Sequence, residues 1–272
     1  MRRHVSFDLP GMAAAAMLGV AAVGTAHAQA PPKPQRIVSL DLCADQLLIE
    51  LAERERIAAV THLAADPEVS AIWEKAKGLP VTRGAAEDVL RHRADLVLAG
   101  PFGVAPTVSL LRRLKANVVI VPMASDLDGV RAAVRAVAAA IGEEARGEAM
   151  IGAFDRRLAE VKPSPQDTAP TAIVYQVGGA VSVAGSLADA ALAAAGFRNK
   201  AAAYRLTRGG QVPLELLAAA PPDLLILSST ADDHRTVVAD NLRHPVLATL
   251  RRQRPSVVLP WRLWLCGTPH IA

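Results

Sequence analysis

Residues 127–161 read LDGVRAAVRAVAAAIGEEARGEAMIGAFDRRLAEV, and this stretch decides how the rest of the chain is organised. Its first half places Leu127, Val130, Val134, Val137 and Ile141 three or four residues apart, the spacing of one apolar helix face. Gly142 can end that helix, because glycine adopts the left-handed conformation of a helix C-terminus without steric cost. A second helical stretch follows over residues 143–161, with Met150, Ile151, Phe154, Leu158 and Val161 on its apolar side. Lys162-Pro163-Ser164-Pro165 breaks it, since proline lacks the backbone donor and clashes with the preceding turn. This helix-rich block separates two regions of different character.

Working outward towards the N-terminus, residues 36–40 (RIVSL) form a short apolar run that reads as a buried strand. A helix follows, with Asp41 near its start and Leu47, Leu48 and Leu51 on one face. Residues 57–60, 95–99 (DLVLA) and 118–121 (VVIV) read as further strands, with helical stretches near 86–92 and 107–114. Continuous apolar strands alternating with amphipathic helices predict a parallel sheet covered on both faces. Working towards the C-terminus, residues 171–177 predict a strand, Gly178-Gly179 a turn, and residues 181–183 a short returning strand. A helix is expected over 187–195, stopped by Gly196, and another over 213–219, with strands over 223–227 and 256–259. Each region contains a helix that ends just before an Asp-Leu-apolar strand, at Asp95 and at Asp223. The predicted fold is therefore α/β: two α/β lobes with mostly parallel sheets, over residues 29–126 and 163–272, joined by a long inter-lobe helix within 127–162.

The first residues stand apart from the fold. Arg2 and Arg3 precede an apolar run over 12–23, which ends in Gly24-Thr25-Ala26-His27-Ala28, a small-x-small cleavage pattern. That is the layout of a secretory signal peptide over 1–28, and the run falls short of the about twenty apolar residues a membrane span needs. Cleavage after Ala28 or Ala30 would release the chain into the periplasm, by the general or the twin-arginine route, and no Cys sits there to take a lipid anchor. Pro31-Pro32-Lys33-Pro34 then forms a stiff leader. The net charge is +4, aromatics are 3%, and no block of Lys and Arg stands out. Nucleic-acid binders usually show a concentrated basic face with stacking aromatics, so that class is excluded. An oxidising compartment leaves two readings for the two cysteines, Cys43 and Cys266: a disulfide, or separate buried or cleft-lining thiols.

Four stretches, in this order, resemble the helical-backbone class (class III) of periplasmic substrate-binding proteins, which serve ABC importers of ferric siderophores, haem and cobalamin. Arg36-Ile37-Val38-Ser39-Leu40 is similar to that family's opening strand. Glu87-Asp88-Val89-Leu90 leading to Ala94-Asp95-Leu96-Val97-Leu98 resembles its "E-x-hydrophobic … P-D-L-V" element, with Ala94 where Pro is usual. Gly142 and the helix to Val161 match its rigid inter-lobe helix, and Glu215-Leu216-Leu217 leading to Pro222-Asp223-Leu224-Leu225-Ile226 its second-lobe counterpart. The resemblance covers nearly all of the chain after the leader. It implies a monomer that hands a small-molecule metal chelate to a permease and ATPase complex at the inner membrane, with no cofactor of its own and no catalysis. It also implies a final C-terminal helix, which the chain ending at Ala272 would lack.

In that family one exposed Glu on each lobe docks onto arginines of the permease, and the matching positions are Glu87 and Glu215. Two carboxylates on two rigid lobes can engage two basic pockets at once and fix orientation. A Glu in the first turn of a helix is also favoured by the helix dipole alone. The family pattern lines the cleft with loops after the strands, which offers Asp41, Cys43, His62, Arg83, Phe102, Tyr204, Arg205, Arg208, Trp261, Arg262 and Trp264 as ligand contacts. Arginines hold carboxylates by paired hydrogen bonds, so this set leans towards an anionic ferric siderophore or haem, with a corrinoid as the alternative. Each Arg could equally be a solvated surface residue, and Trp261 and Trp264 packing at a lobe edge.

Other functions fit less well. A periplasmic enzyme using the cleft lacks a G-x-S-x-G elbow, an H-E-x-x-H pair and a G-x-G-x-x-G turn after the first strand. A free-metal binder needs about four convergent ligands, and the seven histidines show no paired spacing.

Overall fold

The computed structural model describes residues 32–161, 169–204, 210–229 and 237–272; the leader over 1–28, the break at 162–165, Arg205 and Arg208 lie outside the described residues. From Lys33 onward the chain is one body. It runs β1 (Ile37–Ser39), α1 (Leu42–Leu51), β2 (Ile57–Thr61), α2 (Trp73–Ala76), β3 (Val81–Thr82), α3 (Ala86–Arg91), β4 (Leu96–Ala99), α4 (Ala105–Arg113) and β5 (Val118–Ile120). After α5 (Leu127–Ile141) and α6 (Glu144–Glu160) come β6 (Thr171–Tyr175), α7 (Leu187–Ala194), β7 (Arg198–Asn199), α8 (Leu214–Ala219), β8 (Leu224–Leu227), α9 (Pro245–Gln253) and β9 (Ser256–Val258).

The strands build two separate sheets, ordered β3-β2-β1-β4-β5 and β7-β6-β8-β9. Every ladder is parallel. The central strands are buried on both faces, which is why they read as unbroken apolar runs: all three residues of β1 and all four of β4 are buried. The sequence echo at the two Asp-Leu strands has a physical basis. The Asp95 carboxylate accepts from the Gln35 and Arg36 amides at 2.7 and 2.9 Å, fastening the start of β4 to the start of β1. The Asp223 carboxylate accepts from the Thr171 amide and hydroxyl, both at 2.8 Å, and fastens β8 to β6 in the same way.

The decisive stretch folds as an antiparallel helical hairpin. Asp126 caps α5 by accepting from the Gly129 amide at 2.7 Å, and Gly142 ends it at φ 72°. Arg131 pairs with Asp155 at 2.7 Å and Arg135 with Glu148 at 2.7 Å, so residues advancing along α5 meet residues receding along α6. A Cβ on Gly147 would lie 2.6 Å from the Ala138 Cβ, so the glycine lets the two helices approach. Val130 of α5 and Phe154 of α6 pack with Ala124 and with Leu187 of α7, joining the hairpin to both regions of the chain.

One local expectation differs. Residues 181–183 make no strand; Val181 forms a single antiparallel bridge to Tyr175. β6 already has β7 and β8 on its two edges, so a returning segment can only cross its end. Gly178 and Gly179, at φ 71° and 79°, turn the chain there. The short edge strands β3 and β7 and the helix α9 carry no pattern that the sequence reading detected.

Candidate ligand-binding cleft

In open parallel sheets ligands bind beyond the carboxyl ends of the strands, where the strand order reverses. In the second sheet that point lies between β6 and β8, and a cavity of about 760 Å³ opens there. Gln176 and Val177 line it after β6, Ser228 and Ser229 after β8, and Val258, Pro260, Trp261 and Arg262 at the end of β9. Its opposite wall comes from the first lobe, where Pro67, Glu68 and Val69 follow the turn that leaves β2. Backbone bonds hold the second-lobe wall: the Trp261 amide donates to the Ser228 carbonyl at 3.1 Å, and Asn241 Nδ2 donates to the Gln176 carbonyl at 3.1 Å. Across the gap, Arg262 Nη1 donates to the Pro67 carbonyl at 3.2 Å. The site is thus a mostly apolar cavity, with the Arg262 guanidinium spanning its two walls and Glu68 also among its lining.

Of the eleven predicted contact residues, the cavity gathers Trp261 and Arg262, Cys43 is disulfide-bonded to Cys266 away from its lining, and Arg205 and Arg208 lie outside the described residues. The other six sit elsewhere. Asp41 caps α1, accepting from the Cys43 and Ala44 amides at 3.0 and 2.9 Å. His62 opens the turn after β2 and is exposed, as is Arg83 beyond β3. Phe102, in the loop after β4, is 70% exposed. Tyr204 donates its hydroxyl to the Ala220 carbonyl at 2.8 Å and packs against the second-lobe core, where burial pushes its phenol up. Trp264 meets Trp261 edge-on at 4.6 Å and packs against a cluster with Ala172, Val174 and Ile226. Pro67, Glu68, Val69, Gln176, Ser228 and Ser229 escaped the sequence reading. Their one shared signal is position after an apolar strand.

Glu87 and Glu215 occupy the first turns of α3 and α8, exposed, and neither has an ion-pair partner among the described residues. Cys43 and Cys266 are joined by a disulfide that ties the first turn of α1 to the chain beyond β9. No three His, Cys, Asp or Glu side chains among the described residues converge as a metal site.

Two parallel-sheet lobes with a helical connection and a cavity between them define a ligand-capturing protein of the helical-backbone class. Residues 37–251 match the model of the family described as periplasmic binding protein, and the chain belongs to that family. Its fold is similar to the periplasmic heme-binding protein RhuT of Roseiflexus sp. RS-1, at a TM-score of 0.69 and 24% identity over 86% of this chain and 92% of that one. It is also similar to the vitamin B12 binding protein BtuF of Vibrio cholerae, at a TM-score of 0.65 and 17% identity over 88% and 93%. The cobalamin-binding protein of Halobacterium salinarum is 26% identical over 204 residues, 74% of this chain; the chain spans 55% of that relative's length.

Proposed function

We propose that this protein is the periplasmic substrate-binding component of an ABC importer, capturing a metal chelate, a ferric siderophore or haem, between its lobes. The observation that carries this reading is the pairing of Trp261 and Arg262 in the cavity of about 760 Å³. An indole face suits an apolar macrocycle or chelate, and a guanidinium suits its carboxylates. Residues 29–126 and 163–272 act as the lobes and 127–162 as the connection that limits their closure. Glu87 and Glu215 dock the loaded protein onto the permease, whose separate ATPase supplies the energy. Binding is reversible and involves no turnover.

A corrinoid is the second reading, supported by the likeness to the cobalamin-binding protein of Halobacterium salinarum. Tryptophan fluorescence titrated with hemin, a ferric hydroxamate, a ferric catecholate and cyanocobalamin separates the two. Saturable quenching at micromolar concentration by hemin or a ferric siderophore supports the first, and by cyanocobalamin alone the second. Quenching by none of the four rejects both.

A further inference from the structure

The chain beyond β9 belongs to both lobes. Trp261 and Arg262 line the cavity, and Trp264 packs into the second-lobe core. Two residues further on, Cys266 is bonded to Cys43 at the start of α1. Residues 267–270 lie on the first lobe and the hairpin. A Cβ on Gly267 would come within 2.3 Å of Ala124. Thr268 is 1% exposed, with its hydroxyl 3.4 Å from Gln46 Oε1. Arg157 Nη2 donates to the Pro269 carbonyl at 2.6 Å, and His270 Nε2 lies 3.1 Å from Glu50 Oε2. This segment is a strap that crosses from one lobe to the other beside the cavity, and Leu265 alone separates its second-lobe anchor from its covalent first-lobe anchor.

From this placement we infer that the Cys43–Cys266 disulfide is a positioning pair for the cargo site. It holds the Trp261–Arg262 wall at a set distance from residues 67–69, so that Arg262 spans the gap. The inference rests on the cavity being the cargo site. Two features make it more than a general staple. The bond joins the two lobes only four residues from Arg262, which lines the cavity. The Trp264 and Leu265 amides also donate to the Trp261 carbonyl at 3.2 and 2.9 Å, so a hydrogen-bonded turn connects Cys266 to Arg262, four residues away.

Two alterations separate positioning from stability. The double variant Cys43→Ser with Cys266→Ser removes the bond. Insertion of Gly-Gly between Leu265 and Cys266 keeps the bond and its covalent closure but slackens the strap. Hydrogen exchange of the unliganded protein reads the geometry without reference to any ligand. Both alterations are expected to speed exchange at the Trp261 and Leu263 amides about tenfold or more, leaving β6 and β8 unchanged. Hemin titration is expected to show affinity weakened roughly five- to twenty-fold by the insertion, with the melting temperature close to that of the parent chain. In an Arg262→Ala background the insertion should weaken hemin binding less than twofold, since coupled residues act non-additively. Unchanged exchange at Trp261 and Leu263 in the insertion variant overturns the inference, and so does unchanged hemin affinity. If the parent chain binds none of the four probes, the proposed function falls, and exchange at these amides alone decides the role of the disulfide.

Discussion

Replacing Asp45 by Asn should leave stability almost unchanged in mild acid and raise it in mild base. Asp45 lies in α1 and is 0% exposed. Burial lifts its carboxyl from 3.8 to about 7; hydrogen bonds from Ser39 and Thr61 pull it back only in part, and the nearby charge of Asp41 adds to the rise. An acid whose pKa is raised by folding binds more protons in the native state than in the unfolded chain. Its contribution therefore falls as pH rises from 3.8 towards 7 and is level beyond. A rise of about three units corresponds to a penalty on the order of 4 kcal/mol above the upper value. Between pH 5 and pH 8 the lost part is on the order of 2 to 3 kcal/mol. Asn is neutral throughout, and its side-chain oxygen can still accept from the Thr61 amide, which meets Asp45 Oδ2 at 3.1 Å. Urea denaturation of both proteins at pH 5 and pH 8 is the assay, and the difference between the two profiles isolates this group from every other titration. The variant should gain roughly 2 kcal/mol on the parent chain between those pH values. A difference that stays constant would mean that Asp45 is charged at both, and the argument from burial would fail.

Gly147→Ala should lower stability by about 1 to 3 kcal/mol in urea denaturation, because its Cβ would meet that of Ala138 at 2.6 Å; an unchanged midpoint would show that α5 and α6 are free to separate. Arg262→Ala should weaken hemin binding about tenfold, or ~1.4 kcal/mol, whereas Trp264→Ala should lower the melting temperature by removing packing against Ala172, Val174 and Ile226. Glu87→Ala combined with Glu215→Ala should abolish import of the chelate in whole cells while hemin affinity stays within about twofold; undiminished import would remove the docking role. His270→Ala should move acid unfolding to higher pH. Burial raises the Glu50 carboxyl, but His270 and Lys75 outweigh it and bring it to about 2 from 4.5, so their contribution is full above 4.5 and is lost as pH falls towards 2.

The order of secondary structure was legible wherever one residue's environment follows from its neighbours in the chain. β1, β4, β6 and β8 are buried on both faces, so burial wrote itself into unbroken apolar runs. α5 buries one stripe, so its apolar residues recur with the helical period, and Gly142 marks its end because the backbone there needs a positive φ. From these came the two parallel sheets and the helical block between them. β3 and β7, two residues long each, are too short to carry any period.

The cleft was another matter. Trp261 and Arg262 could be picked out as an aromatic and a cation after a strand, but so could Phe102 and Arg83, which line no part of the cavity. Pro67, Gln176 and Ser228 come from three distant points of the chain, and their meeting depends on how two lobes pack. The partnership of Cys43 and Cys266, separated by 223 residues, is likewise a product of that packing. Sequence alone determined which segments are strands and helices, because that is decided by periodic burial over a few residues. Only the tertiary structure decided which loops face one another, because no local pattern records the distance between chain segments that meet solely when both lobes are folded.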